Sequence, residues 1–363
     1  MKNLHPSQLS SSVVPAPIKK SYGEKVPGSR DISLFESTIN SNVFNAFELH
    51  GITKNNSLYF MLQYMYQKFE FGSQLKGFEA AKYQNLSLSI QGAYRDSDPT
   101  VRYHTSFHAA DVVQQVYFYL FGAGVNDMCK ATPLDLASLF LSAAAHDVDH
   151  PGSNNLLEIK THSKLATLYN DSSVLENHHA ATLFFMLEDE SCNVFAQYSG
   201  DEYNKIRKQI LENILFTDMS KHFAFLSEIK GMNSLDNFDA AGKQKPDILK
   251  ALVHAADIGN PSRPFDICKM WALKILSEFF QQGDKERAMG LEISQLCDRK
   301  TTNIARSQIG FIDFVVLPYF DALASLMPGM YFAVDQMKQN KEQWTVSIEE
   351  YERQREDKGN DAV

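Results

Sequence analysis

The chain is 363 residues long, 44% hydrophobic and 22% charged, and 35 Lys and Arg against 44 Asp and Glu leave a net charge of −9. That apolar content is enough for a substantial core. The acidic balance argues against a general nucleic-acid or anionic-membrane binder, though not against an anionic substrate, because a bound divalent metal can dominate a local site.

Residues 1–34, rich in Ser, Lys and Pro (Pro6, Pro15, Pro17, Pro27), read as a poorly ordered lead without the apolar run of a secretory signal. From 35 to 350 the chain reads as helix after helix in one compact unit. In TPLDLASLFLSAAAHD, Leu136, Leu139, Phe140 and Ala143 share a face. Thr132 is the expected N-cap there, with Pro133 at the first helical position and Asp135 three residues on from the cap. Pro151-Gly152 then breaks the run. The segment from 230 to 246 looks like a long loop. In PDILKALVHAAD, Ile248, Leu249, Leu252 and Ala256 form another apolar stripe, and WALKILSEFF and GFIDFVVLPYFDALASL continue the pattern. Residues 351–363 read as a fraying helix and charged tail. Strand alternation is scarce, and no stretch reaches the roughly 18 apolar residues of a membrane span. Cys129, Cys192, Cys268 and Cys297 form no C-x-x-C pair and suit reduced, buried thiols, so a cytoplasmic location is expected. The expected fold is all-α, a compact multi-helix bundle.

Four segments concentrate ligand-type residues: YHTSFHAADV (103–112), HDVDHPGSNN (146–155), LENHHAA (175–181) and HAADIGNP (254–261). His104 and His108, four apart, would share a helical face. His146 and Asp147 are adjacent at the end of an apolar helix, and Asp257 ends another. His108, His146, Asp147 and Asp257 make one plausible site, and two imidazoles with two carboxylates suit Zn²⁺ or a similar ion. Asp147 has a second oxygen to bridge to another ion, and a site poor in protein ligands keeps its waters, as Mg²⁺ or Mn²⁺ prefers. Each feature alone has a bland reading, as a surface His pair or a helix-end carboxylate. The set is harder to dismiss, because burying so many polar groups costs several kcal/mol unless they are paired or coordinated.

With TDMSKH (217–222) and SQIGFIDF (307–314) added, these motifs make the chain resemble the class I cyclic-nucleotide phosphodiesterases over roughly 60 to 345. The resemblance implies a deep two-metal pocket. His108, His146, Asp147 and Asp257 would hold Zn²⁺, and Asp147 would bridge to Mg²⁺ or Mn²⁺. His150, Glu176 and Thr217 would order the water around that second ion, and His104 would be the general acid. Gln308 would hydrogen-bond the purine edge and Phe311 would stack on its face. Ile275 and Phe279 would form the opposite wall, with Asn260 near the base. The implied reaction is hydrolysis of a 3′,5′-cyclic nucleotide to the 5′-monophosphate by a hydroxide shared between two metals. Asn260 resembles the cAMP-selective subgroups, and dual cAMP/cGMP activity is the alternative. His178 and His179 are read as packing or hydrogen-bonding groups, not ligands. One residue departs from the family pattern: Thr105 stands where Asn is usual.

The expected partner is a small-molecule cyclic nucleotide, not a nucleic acid. A homodimer is left open, and regulatory domains are expected outside this chain. Two rivals remain. Another HD-type nucleotide phosphohydrolase would not require the SQIGF segment or Asn260. A sensor that has lost catalysis would not need the full ligand set with His104.

Overall fold

A computed structural model describes residues 35–360; the expected lead and residues 361–363 of the tail lie outside the described residues. Among the described residues there are helices and turns and no strand. The longer helices are α1 (Ser57–Lys68), α2 (Ala80–Ala93), α3 (Ser106–Phe121), α4 (Pro133–Ala145), α5 (Val174–Met186) and α6 (Gly200–Leu215). They continue with α7 (His222–Met232), α8 (Lys245–Asp257), α9 (Phe265–Ala288), α10 (Ile304–Phe311), α11 (Leu317–Leu326) and α12 (Tyr331–Asn360). The expected loop at 230–246 is shorter, because α7 runs to Met232 and α8 begins at Lys245, where Pro246 suits a helical first turn. The expected tail is helical as far as Asn360.

The described residues group into two compact units. Among the described residues, the first comprises Ala46–Val113 and Ala131–Leu215; the second comprises 35–45, Gln114–Lys130 and 216–360.

In the first unit α4 is the central element. Leu136 through Ala145 are all buried, so this helix is apolar on every side and needs neighbours all round. It packs on α6 and α1, while α5 packs on α2 and α6. Phe140 stacks on Phe69 with centroids 5.7 Å apart. Each such buried side chain contributes roughly 1.5–3 kcal/mol. Of the two buried serines on α4, Ser142 donates to Ser138 O at 2.7 Å and receives Asn213 Nδ2 from α6 at 3.1 Å. The helix starts where expected, with Thr132 and Asp135 forming a reciprocal capping box.

In the second unit α12 packs along α10 and α11, and α7 packs on α11. Between α10 and α11 lies a π-helical turn, Ile312–Val316. Pro318 accounts for it: the residue has no N–H to return to Phe314 O, and the widened turn accommodates the loss. By length and composition the continuous helical run Ile304–Leu326 could cross a membrane, against the sequence expectation. It nevertheless carries Arg306, Gln308, Asp313 and Asp321, and it buries Ile312, Val316, Tyr319, Phe320 and Leu323. Tyr319 also donates its hydroxyl to Ala251 O on α8 at 3.1 Å.

Candidate metal centre and active site

The first unit contributes a turn that follows α4. His146 caps the helix, and residues 146–149 turn. The His146 ring is oriented by the backbone, with Nδ1 2.8 Å from Ala143 O. A carbonyl only accepts, so Nδ1 carries the proton and Nε2 presents a lone pair. That Nε2 lies 3.1 Å from Asp147 Oδ2, and His108 Nε2, on α3, lies 3.8 Å from the same oxygen. Asp147 Oδ2 is buried and accepts no hydrogen bond. Two lone-pair atoms at 3.1 Å do not bond to each other, whereas a cation satisfies both. The donor set therefore fits a metal ion, and His108, His146 and Asp147 supply ligand-type atoms in one unit. Burial alone would raise the Asp147 carboxyl. Positive charge on the neighbouring imidazoles of His146, His104 and His150, when they are protonated, outweighs that and holds it well below the usual carboxylate range.

His104 does not share a helix with His108, as the spacing suggests. It sits in a turn, and α3 begins at Ser106. Asp96 caps that helix, accepting Ser106 N at 2.9 Å and Ser106 Oγ at 2.5 Å. The departure at Thr105 is absorbed locally, its hydroxyl donating to Tyr103 O at 3.3 Å. His104 instead stacks on His150, with centroids 3.9 Å apart and planes 18° from parallel. His150 Nδ1 accepts the Gly152 N–H at 3.0 Å, so its neutral ring carries the proton on Nε2. It is placed to donate, which fits an ordering role and not a ligand's. Gly152 has φ +73° and backs onto Thr100 O, so a side chain there would be strained.

Helix α5 supports this turn. Asn155 Nδ2 donates to both oxygens of Glu176, at 3.1 and 3.0 Å, and Asn155 Oδ1 accepts Leu175 N. His178 donates Nε2–H to Asp149 Oδ2 at 2.8 Å, and His179 donates Nδ1–H to Val148 O at 2.7 Å. The expected hydrogen-bonding role of this pair is thus its observed one. Arg95, which the sequence reading passed over, donates Nε–H to Asp149 Oδ1 at 2.7 Å. Burial would raise Asp149; the bonds from His178 and Arg95, with their charges, bring it down to about 2.

The second unit carries the remaining expected residues. Asp257 is the last residue of α8. Thr217 is buried, and the neighbouring Asp218 caps the short helix Met219–Lys221 through Ser220 N at 2.8 Å. Asn260 opens the turn after α8. Asn340 on α12 anchors that turn, donating Nδ2–H to Pro261 O at 2.8 Å and Arg263 O at 2.7 Å. Ile275 and Phe279 lie one turn apart on α9, and Gln308 and Phe311 lie on α10, which packs against it. Gln308 is buried, whereas Ile275, Phe279 and Phe311 are half-buried, unlike ordinary core residues.

The family model described as 3'5'-cyclic nucleotide phosphodiesterase matches residues 103–337. The chain belongs to that family. The match encloses every expected phosphodiesterase site residue, from His104 to Phe311. Among curated relatives, the 3',5'-cyclic-AMP phosphodiesterase 4C of Rattus norvegicus is 39% identical over 267 residues, 70% of this chain and 48% of that protein. The 3',5'-cyclic-AMP phosphodiesterase, isoform F, of Drosophila melanogaster is 31% identical over 339 residues, 90% of this chain and 50% of that protein. The chain spans about half the length of these relatives. Among solved structures, that of LmjPDEB1 in complex with IBMX has a TM-score of 0.77 at 29% identity, covering 90% of this chain and 99% of that one. The phosphodiesterase domain of the RhoPDE fusion protein from the choanoflagellate Salpingoeca rosetta gives 0.76 at 28% identity, covering 89% and 99%. These all-helical phosphodiesterase neighbours agree with the fold class read from the sequence.

Proposed function

We propose that this phosphodiesterase hydrolyses cAMP to 5′-AMP, with two divalent cations. The supporting observation is the buried Asp147 Oδ2, which accepts no hydrogen bond and is faced by the Nε2 atoms of His146 and His108. His108, His146, Asp147 and Asp257 would hold a zinc ion, and the other oxygen of Asp147 would serve a magnesium or manganese ion. When bound, these cations supply Lewis acidity toward the phosphoryl oxygens and lower the pKa of the attacking water.

The chain's own residues do the rest. His104 gives a proton to the departing O3′, because an alkoxide is a poor leaving group; positioned proton transfer is worth typically about 10²–10⁴-fold. His150, stacked beside it, offers Nε2–H as a donor. Glu176, oriented by Asn155, and Thr217 order water. Gln308 reads the purine edge, Phe311 packs on its face, and Ile275 and Phe279 supply the other apolar wall, with Asn260 beside the base. The preference for cAMP rests on Asn260 and on the names of the matched relatives. A cytoplasmic setting agrees with four buried, unbridged cysteines.

The test is 5′-monophosphate release by the purified chain from cAMP and from cGMP, with Mg²⁺ and after chelation. The expected result is chelator-sensitive turnover of cAMP well above cGMP. Equal turnover of both would overturn the selectivity, and silence on both from folded, metal-loaded protein would overturn the reaction.

A further inference from the structure

Asp149 lies between two residues of the proposed site, Asp147 and His150, and is itself held in an unusual backbone conformation. Its φ is +62°, in the left-handed region that a residue with a side chain enters only at a cost. Something must hold it there, and both oxygens of its carboxylate are gripped from different elements. Arg95, just beyond α2, donates to Oδ1 at 2.7 Å; His178 on α5 donates to Oδ2 at 2.8 Å. Next to it, Val148 O takes the Nδ1–H of His179 at 2.7 Å. The turn that carries His146, Asp147 and His150 is therefore fixed through its middle two residues.

We propose that Arg95 is a positioning residue of this metal-dependent site: its grip on Asp149 holds the left-handed turn that sets the Asp147 carboxylate against His150. This rests on the metal-dependent reading above. Arg95 touches none of the expected ligands in this arrangement, and its side chain is 37% exposed, so it is not a core packing residue. Its planar guanidinium suits a directed bond to a carboxylate, which the point charge of Lys reproduces only in part.

The direction of the effect separates positioning from simple electrostatics. Arg95 carries a positive charge close to a cation site, so Coulomb repulsion alone predicts that its removal tightens cation binding. Positioning predicts the opposite, since loss of an outer partner of a metal site typically weakens metal affinity by about 10–100-fold.

The experiment loads the full chain with one equivalent of Zn²⁺ and titrates Mn²⁺ without substrate, reading free Mn²⁺ by electron paramagnetic resonance. Arg95→Ala is expected to weaken Mn²⁺ binding about tenfold and to lower kcat with little change in KM. Arg95→Lys is expected to recover part of the affinity, and serves as the test should Arg95→Ala not fold by circular dichroism. Mn²⁺ affinity at or above wild type in Arg95→Ala, or in Arg95→Lys where Arg95→Ala does not fold, overturns the proposal while leaving the function standing. Wild-type protein that takes up no Mn²⁺ overturns both.

Discussion

The buried pair His222–His254 makes acid stability a quantitative test of the fold. His222 Nδ1 and His254 Nε2 are 2.9 Å apart, and both rings are buried. One must donate and the other accept, so at least the accepting ring is neutral. His254 Nδ1 is buried with no hydrogen-bond partner, so a second proton on that ring gains nothing to bond to. Burial is the main cause that lowers His254, with His222 adding to it and Asp257 opposing, and the result falls from 6.5 to about 4. The folded value lies below the unfolded one. On acidification the unfolded chain takes up the proton near pH 6.5, whereas the folded chain waits until about pH 4. The stabilisation is therefore present above pH 6.5 and is lost as pH falls. At about 1.4 kcal/mol per pH unit, the loss is roughly 2 kcal/mol by pH 5 and about 3 by pH 4. The assay is urea unfolding in chelator from pH 7.5 to pH 4.5, wild type against His254→Gln, so that carboxylate titration common to both cancels. The advantage of wild type should shrink as pH falls. Parallel curves would refute the assignment of a depressed, buried imidazole.

Gln308→Ala should raise KM for cAMP far more than it harms hydrolysis of a base-free model phosphodiester, and equal losses on both would remove the purine-reading role. Burial pushes the Cys268 thiol up to about 12. Iodoacetamide at pH 8 should therefore leave Cys268 unmodified in native protein and alkylate it after denaturation, as read by peptide mass spectrometry; rapid native labelling would contradict its burial.

Helices with an apolar period and a cap are legible in the sequence, and α4 is the clearest case. Thr132, Pro133 and Asp135 mark its start, and the run of small and apolar residues marks its burial. What periodicity could not give was the phase of short stretches. His104 and His108 are spaced as helical neighbours, yet Asp96 caps the helix at Ser106 and leaves His104 outside it. The π-turn at 312–316 was likewise hidden, because an isolated Pro318 does not say whether a helix kinks, stops or widens. The candidate site was legible as a set of residue types at the ends of apolar runs. Its supports were not: Arg95 stands some fifty residues before Asp149 in the chain and belongs to no motif.

The deeper gap between sequence and site is the protonation pattern of the histidines. His146, His150 and His179 are the same residue type within one unit, yet the backbone assigns them opposite roles. Ala143 O takes the Nδ1–H of His146 and Val148 O takes that of His179, leaving an Nε2 lone pair in each neutral ring. The Gly152 N–H does the reverse for His150, which keeps its proton on Nε2. The first arrangement leaves a lone pair facing the site and the second leaves a proton. Those assignments come from carbonyls and an amide fixed by the end of α4, the left-handed Asp149 and the turn at Gly152. A site that needs both metal ligands and a proton-bearing imidazole within one short turn therefore depends on backbone geometry as much as on residue identity. Substitutions that relax that turn should damage metal binding even when every candidate ligand is intact.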